Sequence, residues 1–278
     1  MNARKPGTPG TLWVVATPIG NLGDLSPRAQ QILRDADVVA AEDTRHSRPL
    51  LQHFGITTPL TALHEHNERV AVASLISKLQ AGEQVALISD AGTPLISDPG
   101  FRLVRAARAA GIRCIPVPGA CAAIAALSVA GLPSDRFVFE GFLPPKAAAR
   151  RSRLQELAGD ARTLIFYESS HRVAESLADM RDVFGAEREA VLARELTKMF
   201  ETVLGEPLAE LAARVVSDPD QQRGEHVILV AGRGEEVDAK LAEGQRIFAI
   251  LREELPPAKA AKLAAAISGA PRKLLYEG

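Results

Sequence analysis

The side chains able to do chemistry are concentrated in short polar stretches, each following an apolar run. The run Val85-Ala86-Leu87-Ile88 opens into SDAGTPLISDPG at 89–100, which sets two carboxylates, Asp90 and Asp98, around Gly92. Two carboxylates in one loop suggest a general acid and a general base. Asp98-Pro99, however, has the signature of a helix cap followed by proline at the first helical position. Asp98 is therefore read as the cap of a helix over 101–110, and proton chemistry is assigned to other loops. Gly92 lets backbone approach a ligand closely, Asp90 can accept from hydroxyls or an amine, and the amides opening the next helix can receive an anion.

A second cluster, Glu42-Asp43-Thr44-Arg45-His46-Ser47-Arg48, follows Val38-Val39-Ala40-Ala41. It is either a buried ion-pair network or a site of substrate binding and proton transfer. Thr17-Pro18-Ile19-Gly20 is either a tight turn or a ligand loop. Pro118-Gly119-Ala120-Cys121-Ala122 enters a helix of small residues, which either packs closely or admits a flat ligand to the backbone. Tyr167-Glu168-Ser169-Ser170-His171-Arg172 and Arg194-Glu195-Leu196-Thr197-Lys198 repeat the pattern in the second half, and together these loops suggest a small-molecule cleft between domains. Neither GxGxxG nor a Walker A sequence occurs, which argues against NAD and nucleoside triphosphates. His64-Glu65-His66-Asn67 lacks HExxH spacing and a third ligand, so no metal is expected. Cys114 and Cys121 do not form a CxxC pair and are expected to be reduced and structural.

The elements that must position these loops are legible in the periodicity. Strands at 12–16, 38–41, 85–88 and 112–117 alternate with helical patterns, and continuous apolar runs suit strands buried on both faces of a parallel α/β sheet. Ser26-Pro27 marks one helix start. Near 131–135 the pattern changes, and a strand from 137 stops at Pro144-Pro145. Helices at 147–158 and 170–184 with strands at 163–167, 190–196, 201–204 and 227–230 make a mixed-sheet second domain. Helices at 239–253, 258–267 and 271–276 form either a helix-turn-helix-like tail or a plain helical cap. The expected organisation is a flexible 1–10, an α/β domain at 11–133, a mixed α/β domain at 134–234 and a helical tail at 235–278.

A chain of 278 residues with 46% hydrophobic and 24% charged residues can fold as a globular protein without metal or disulfide staples. The 4% aromatic content argues against a wide stacking platform, and a net charge of −1 means that any nucleic-acid contact is local. No run approaches the roughly 18 apolar residues of a membrane span, and 1–10 lacks a signal peptide's apolar core, so a cytoplasmic protein is expected.

Taken in order, VVATPIGNL (14–22), AEDTRH (41–46), HEHNE (64–68), SDAGTPLISDPG, GLP (131–133) and FYES (166–169) closely resemble the ribosomal RNA small subunit methyltransferase I family. That family is a tetrapyrrole-methylase-like, class III branch of the S-adenosylmethionine-dependent methyltransferases, and the resemblance spans nearly the whole chain. It implies two α/β domains enclosing S-adenosylmethionine, a homodimer, and 2′-O-methylation of a cytidine in the decoding region of 16S rRNA of the small ribosomal subunit. By the same resemblance Pro18, Ala91, Gly92, Thr93, Ile96, Cys121, Ala122 and Tyr167 hold the cofactor. Thr93 stands where the tetrapyrrole branch has Asp, so Asp90 takes over part of that role, and Cys121 stands where the family often has Ser.

Methyl transfer to a ribose hydroxyl is an in-line displacement that also needs a proton acceptor. Asp43 and His46 are the candidates, with Glu168 and Lys198 as alternatives, the lysine requiring a lowered pKa. RNA phosphates call for a basic face, for which the sequence offers Arg45, Arg48, Arg150, Arg151, Arg172, Arg194 and Lys198, joined by Lys146, Arg153 and His171. Arg272 and Lys273, with Lys259 and Lys262, extend it into the tail. Competing expectations are a tetrapyrrole-type small-molecule methyltransferase and a non-catalytic RNA-binding assembly factor on the same fold.

Overall fold

In the computed structural model, residues 9–64, 67–233 and 237–270, with Arg272 and Leu275, are described. The first half alternates β1 (Thr11–Val15), α1 (Pro27–Asp35), β2 (Val38–Ala41), α2 (Thr44–His53), β3 (Leu60–Ala62), α3 (Glu68–Gln80), β4 (Val85–Ile88), α4 (Phe101–Ala109), β5 (Arg113–Val117) and α5 (Ala122–Val129). The five strands are parallel in the order β3-β2-β4-β1-β5. Every residue of β2 and β4 is buried, because helices cover both faces of these central strands and leave no solvent side for polar alternation. Parallel pairing sends the loops after β1, β2, β4 and β5 out of the same carboxyl edge, where open α/β sheets bind ligands.

Local signals account for the helix starts. Ser26 caps α1, its hydroxyl accepting from the Ala29 amide at 3.1 Å ahead of Pro27. At α4 the expectation fails. The residue before Phe101 is Gly100 at φ +118°, no side chain caps the helix, and Asp98 lies outside it. Pro99 and the left-handed Gly100 turn the chain between Asp98 and the first helical amides, so Asp98 is not a cap.

The second half comprises β6 (Phe137–Phe142), α6 (Ala147–Leu157), β7 (Thr163–Ser169), α7 (Val173–Phe184), β8 (Glu189–Arg194), β9 (Thr202–Pro207), α8 (Leu208–Ser217) and β10 (Glu225–Val230). The sheet order is β6-β7-β10-β8-β9, with β6 and β7 parallel and the other pairs antiparallel. One face carries Leu164, Phe166, Leu192 and Ile228 against α6, α7 and α8. The opposite face packs Ile165, Val191, Ala193, Val227 and Leu229 against Ile19 and α5 of the first half. The run AAIAALSV makes α5 thin enough for this approach. At about 1.5–3 kcal/mol for each fully buried Val, Leu or Ile, an upper figure, apolar contact outweighs surface ion pairs in holding the halves together.

Strand β6 contains a bulge: its register against β7 shifts between Phe139 and Gly141, and Gly141 sits at φ +66°. After β10 the chain forms α9 (Val237–Glu254) and α10 (Pro257–Ser268), which bury Ala264, Ala270 and Leu275 against Ile247, Phe248 and Leu251. The third tail helix expected at 271–276 lies largely outside the described residues. Among the described residues no helix is long and apolar enough to cross a membrane.

Candidate active site

Between the carboxyl edge of the first sheet and the inner face of the second lies a cavity of about 530 Å³. The β4–α4 loop lends it Asp90, Ala91, Gly92, Thr93, Ile96 and Asp98, the entry to α5 lends Cys121 and Ala122, and β7 lends Tyr167. Backbone bonds tie these loops together: the Thr17 amide donates to the Gly92 carbonyl at 2.8 Å and the Gly92 amide to the Thr17 carbonyl at 3.2 Å. Thr93 Oγ1 donates to the Ala120 carbonyl at 2.9 Å, and Asp90 Oδ1 accepts from the Asp43 amide at 3.0 Å. Gly92 is at φ +81°, and a Cβ there would lie 3.2 Å from Ile19 Cγ2.

Strand alternation decides which side chains of the second sheet reach the cavity. Tyr167, Val227 and Ala193 share the inner face with Ile165 and Leu229. Tyr167 Oη accepts from the Ala123 amide at 3.1 Å, and burial holds its phenol pKa well above the usual value. Its ring meets Phe139 and Phe142 edge-on at 4.9 and 5.7 Å. The bulge makes this trio possible, because the extra residue returns Phe142 to the side that Phe139 occupies.

Glu168, His226 and Arg194 oppose one another across β7, β10 and β8, on the helix-covered face with Phe166, Ile228 and Leu192. Glu168 accepts from the Ser169 amide at 2.8 Å, Ser176 Oγ at 2.6 Å and Arg172 at 2.7 Å, and its side chain is fully buried. Although the residue borders the cavity, its carboxylate is a buried structural anchor committed to Arg172, Ser176 and the Ser169 amide, which removes it as a base. His226 Nε2 lies 2.8 Å from the Gln221 carbonyl, and burial lowers its pKa.

An outer cavity of about 610 Å³ adjoins the first through Ile19, Asp90, Ala91 and Glu225, and adds Pro18, Arg45, His46, His53 and Lys198. Two expected bases fail here on chemistry. Asp43 caps α2, accepting from the Arg45 amide at 2.8 Å and pairing with its guanidinium at 2.7 Å. That guanidinium holds the Asp43 carboxyl far below the ordinary carboxylate range, so it is a poor proton acceptor. Burial of Lys198 favours a lower pKa, but Glu225 at 2.8 Å and Glu195 at 2.9 Å outweigh it and raise the value. His46 remains exposed at the outer cavity.

Asp98, read as a cap, instead lines the inner cavity. Burial raises its pKa to about 6, with the Asp90 charge acting in the same direction and a Ser89 hydrogen bond opposing both. Among the described residues the inner cavity is bordered by Glu42, Asp90, Asp98, Glu168 and Glu225 and by His226, and by no lysine or arginine. The cations stand outside it.

The model of the Tetrapyrrole (Corrin/Porphyrin) Methylases matches residues 11–212, and that of the RsmI C-terminal HTH domain matches 238–277. Ribosomal RNA small subunit methyltransferase I of Xylella fastidiosa strain Temecula1 is 65% identical over 271 residues, covering 98% of this chain and 99% of that protein. The protein of the same name from Pseudomonas aeruginosa is 66% identical over 272 residues, covering 96% of each. The chain belongs to the ribosomal RNA small subunit methyltransferase I family. It is therefore an S-adenosylmethionine-dependent methyltransferase. A crystal structure of uroporphyrin-III C-methyltransferase from Thermus thermophilus complexed with S-adenyl homocysteine matches in fold, with a TM-score of 0.55 at 17% identity over 80% of this chain and 97% of that one.

For this family member the structure sorts the expected RNA-facing cations into two sets. Arg150 is 2% exposed and pairs with Asp179 at 2.6 Å and Glu175 at 3.2 Å. Arg194 donates to the carbonyls of Arg223 and Phe200 at 2.7 and 2.9 Å. Arg172 holds Glu168 and the Leu143 carbonyl. These three are internal fasteners, because each guanidinium is committed to acceptors of its own fold, and they are corrected from RNA contacts to structural roles. Arg151 pairs with Asp179, and Arg153 with Glu140 and Glu156, at the surface. Arg45, Arg48, Lys146, His171, Lys259 and Lys262 are exposed. Arg272 is exposed and donates to the Ala258 carbonyl at 3.3 Å, while Glu65, His66 and Lys273 lie outside the described residues. Sequence reasoning missed Phe142 and Ser97 at the inner cavity, since a bulge and a left-handed serine leave no periodic trace.

Proposed function

We propose that this methyltransferase methylates the 2′-hydroxyl of a cytidine in the decoding region of 16S rRNA, with S-adenosylmethionine in the inner cavity and the RNA strand across the outer one. The observation that carries the reading is the partition of charge: carboxylates without lysine or arginine inside, and Arg45, His46, His53 and Lys198 outside. A cationic sulfonium with an ammonium suits the former, and a polyanion suits the latter.

The inner residues fit such a ligand. Gly92 at φ +81° keeps the floor bare where a Cβ would crowd Ile19, and Ala91, Cys121 and Ala122 leave the backbone accessible. Asp90, positioned through the Asp43 amide, accepts from the ligand's donors, while Thr93 and Ile96 shape the cradle, Tyr167 covers it and Pro18 stands at the outer cavity next to it. When bound, S-adenosylmethionine supplies a methyl group carried on a sulfonium. Enclosure between the two sheets orients the hydroxyl and excludes water. His46, Arg45 and Arg48 flank the incoming strand, and the exposed Lys146, Arg151, His171 and Arg272 extend the contact. The enzyme works in the cytoplasm as a homodimer on the small ribosomal subunit.

Labelled-methyl transfer to small-subunit particles and to free 16S rRNA, followed by nucleotide mapping and calorimetry with S-adenosylmethionine, tests the reading. Label on a single cytidine ribose supports it. Tight cofactor binding without transfer to RNA would point to a small-molecule substrate, and absence of cofactor binding to an assembly factor.

A further inference from the structure

We infer that Asp98 is the group that takes the proton from the hydroxyl being methylated. The assignment rests on the methyl-transfer reading above and adds the residue that completes its chemistry. A base must border the space where the reacting atoms meet, and it must not be committed to a cation. Of the other acidic candidates, Asp43 is paired with Arg45, Glu168 with Arg172 and Glu225 with Lys198, while Asp90 accepts from the Asp43 amide and Glu42 has an interaction of its own. Asp98 lines the inner cavity and has no ion-pair partner among the described residues.

The backbone around Asp98 is built to present it. Leu95 and Ser97 are held at φ +74° and +66°, a left-handed conformation that costs on the order of 1–3 kcal/mol per residue and persists only where surroundings enforce it. The enforcing contact comes from the other half: a Cβ at Gly141 would lie 3.0 Å from Ser97 Oγ, so the β6 bulge is seated directly on this loop. Pro99 and Gly100 then turn the chain away from Asp98 and leave its carboxyl free of the α4 amides.

The charged and titratable groups that share the cavity with it are Asp90 on its own loop, Glu42 after β2, Cys121 before α5, Tyr167 and Glu168 on β7, and Glu225 and His226 on β10, the histidine's pKa being lowered by burial. None is a cation. Burial, with the Asp90 charge beside it and against a Ser89 hydrogen bond, makes Asp98 a stronger base than an ordinary carboxylate, with a pKa of about 6 that still leaves it ionised at neutral pH. In the step, the ribose oxygen forms its bond to the methyl carbon as the methyl–sulfur bond breaks. The sulfur leaves as a neutral thioether, the hydroxyl proton passes to the Asp98 carboxylate, and Asp98 later returns it to solvent.

The test uses the full chain with Asp98→Asn and Asp98→Glu. Asp98→Asn is expected to lower kcat by about 10²–10⁴-fold, with a much smaller loss of calorimetric affinity for S-adenosylmethionine, since one of several cavity carboxylates is neutralised. Asp98→Glu is expected to restore part of the rate. The kcat–pH profile of wild type should fall on the acid side of about pH 6, and the residual rate of Asp98→Asn should lack that limb. Independently of turnover, a carboxyl carbon resonance titrating near pH 6 should be present in wild type and absent from Asp98→Asn. A wild-type kcat in Asp98→Asn overturns the assignment, as does loss of cofactor affinity matching the loss of kcat/KM, or loss of the acid limb in His46→Ala but not in Asp98→Asn. In each of these outcomes wild type still methylates RNA and the functional reading stands. Wild type that transfers no methyl group to RNA overturns that reading and the assignment with it.

Discussion

Arg150 illustrates how a residue's type and its task separate. In AAARRSRL it stands in a basic run that looks solvated, yet it is buried between Asp179 and Glu175, far along the chain. Removing one member of a buried pair leaves an uncompensated charge, so Arg150→Ala is expected to destabilise the fold by about 3–5 kcal/mol in chemical denaturation. Arg150→Met combined with Asp179→Leu should recover most of that loss, a result that a lost RNA contact would not give. Asp98 behaves oppositely. Its pKa is raised in the folded state, so between its ordinary value and about 6 the native chain holds more protons than the unfolded one, and stability falls as pH rises through that window. Asp98→Asn should therefore raise Tm at pH 7–8, and the gain should vanish below about pH 4. For both residues the chemical identity is legible in the sequence and the surroundings are not: Asp-Pro looks like a cap because only Gly100's backbone reveals that it is not.

At the scale of elements, periodicity was informative wherever burial was uniform. β2 and β4 coincide with the expected 38–41 and 85–88, because a strand covered on both faces is an unbroken apolar run. β3, three half-buried residues LTA, carries no such pattern, and α8 lies between strands where the sequence expectation places no helix. The β6 bulge was invisible for a related reason: one inserted residue breaks the very alternation by which strands are found. It nonetheless places Phe142 beside Tyr167 and seats Gly141 on Ser97. Gly141→Ala puts a side chain on a backbone at φ +66° and within 3.0 Å of Ser97 Oγ. The expected result is a loss of roughly 1–2 kcal/mol in thermal or chemical denaturation, with weaker S-adenosylmethionine binding in calorimetry. Unchanged affinity would show that the bulge does not shape the cavity.

Over the whole molecule, a net charge of −1 conceals two opposed fields, acidic within the cleft and basic at its rim. No local stretch announces this, since the groups of each field come from loops distant in sequence. Ionic strength should separate them. RNA affinity is expected to fall steeply with salt, and Arg48→Glu or Lys262→Glu should each reduce the slope of log K against log salt by about one. Affinity for S-adenosylmethionine in the same variants should be unchanged. A slope insensitive to both substitutions would move the RNA to another face.

The stem of Lys198 supplies a last consequence. It lies across Gly20, where a Cβ would come within 2.3 Å of Lys198 Cγ, while its amine is tethered to Glu195 and Glu225. One side chain thus acts as a bolt over the seam, rooted in the second half and resting on the first. Any separation of the two halves at this point has to draw that stem off Gly20 or break its hold on Glu195 and Glu225.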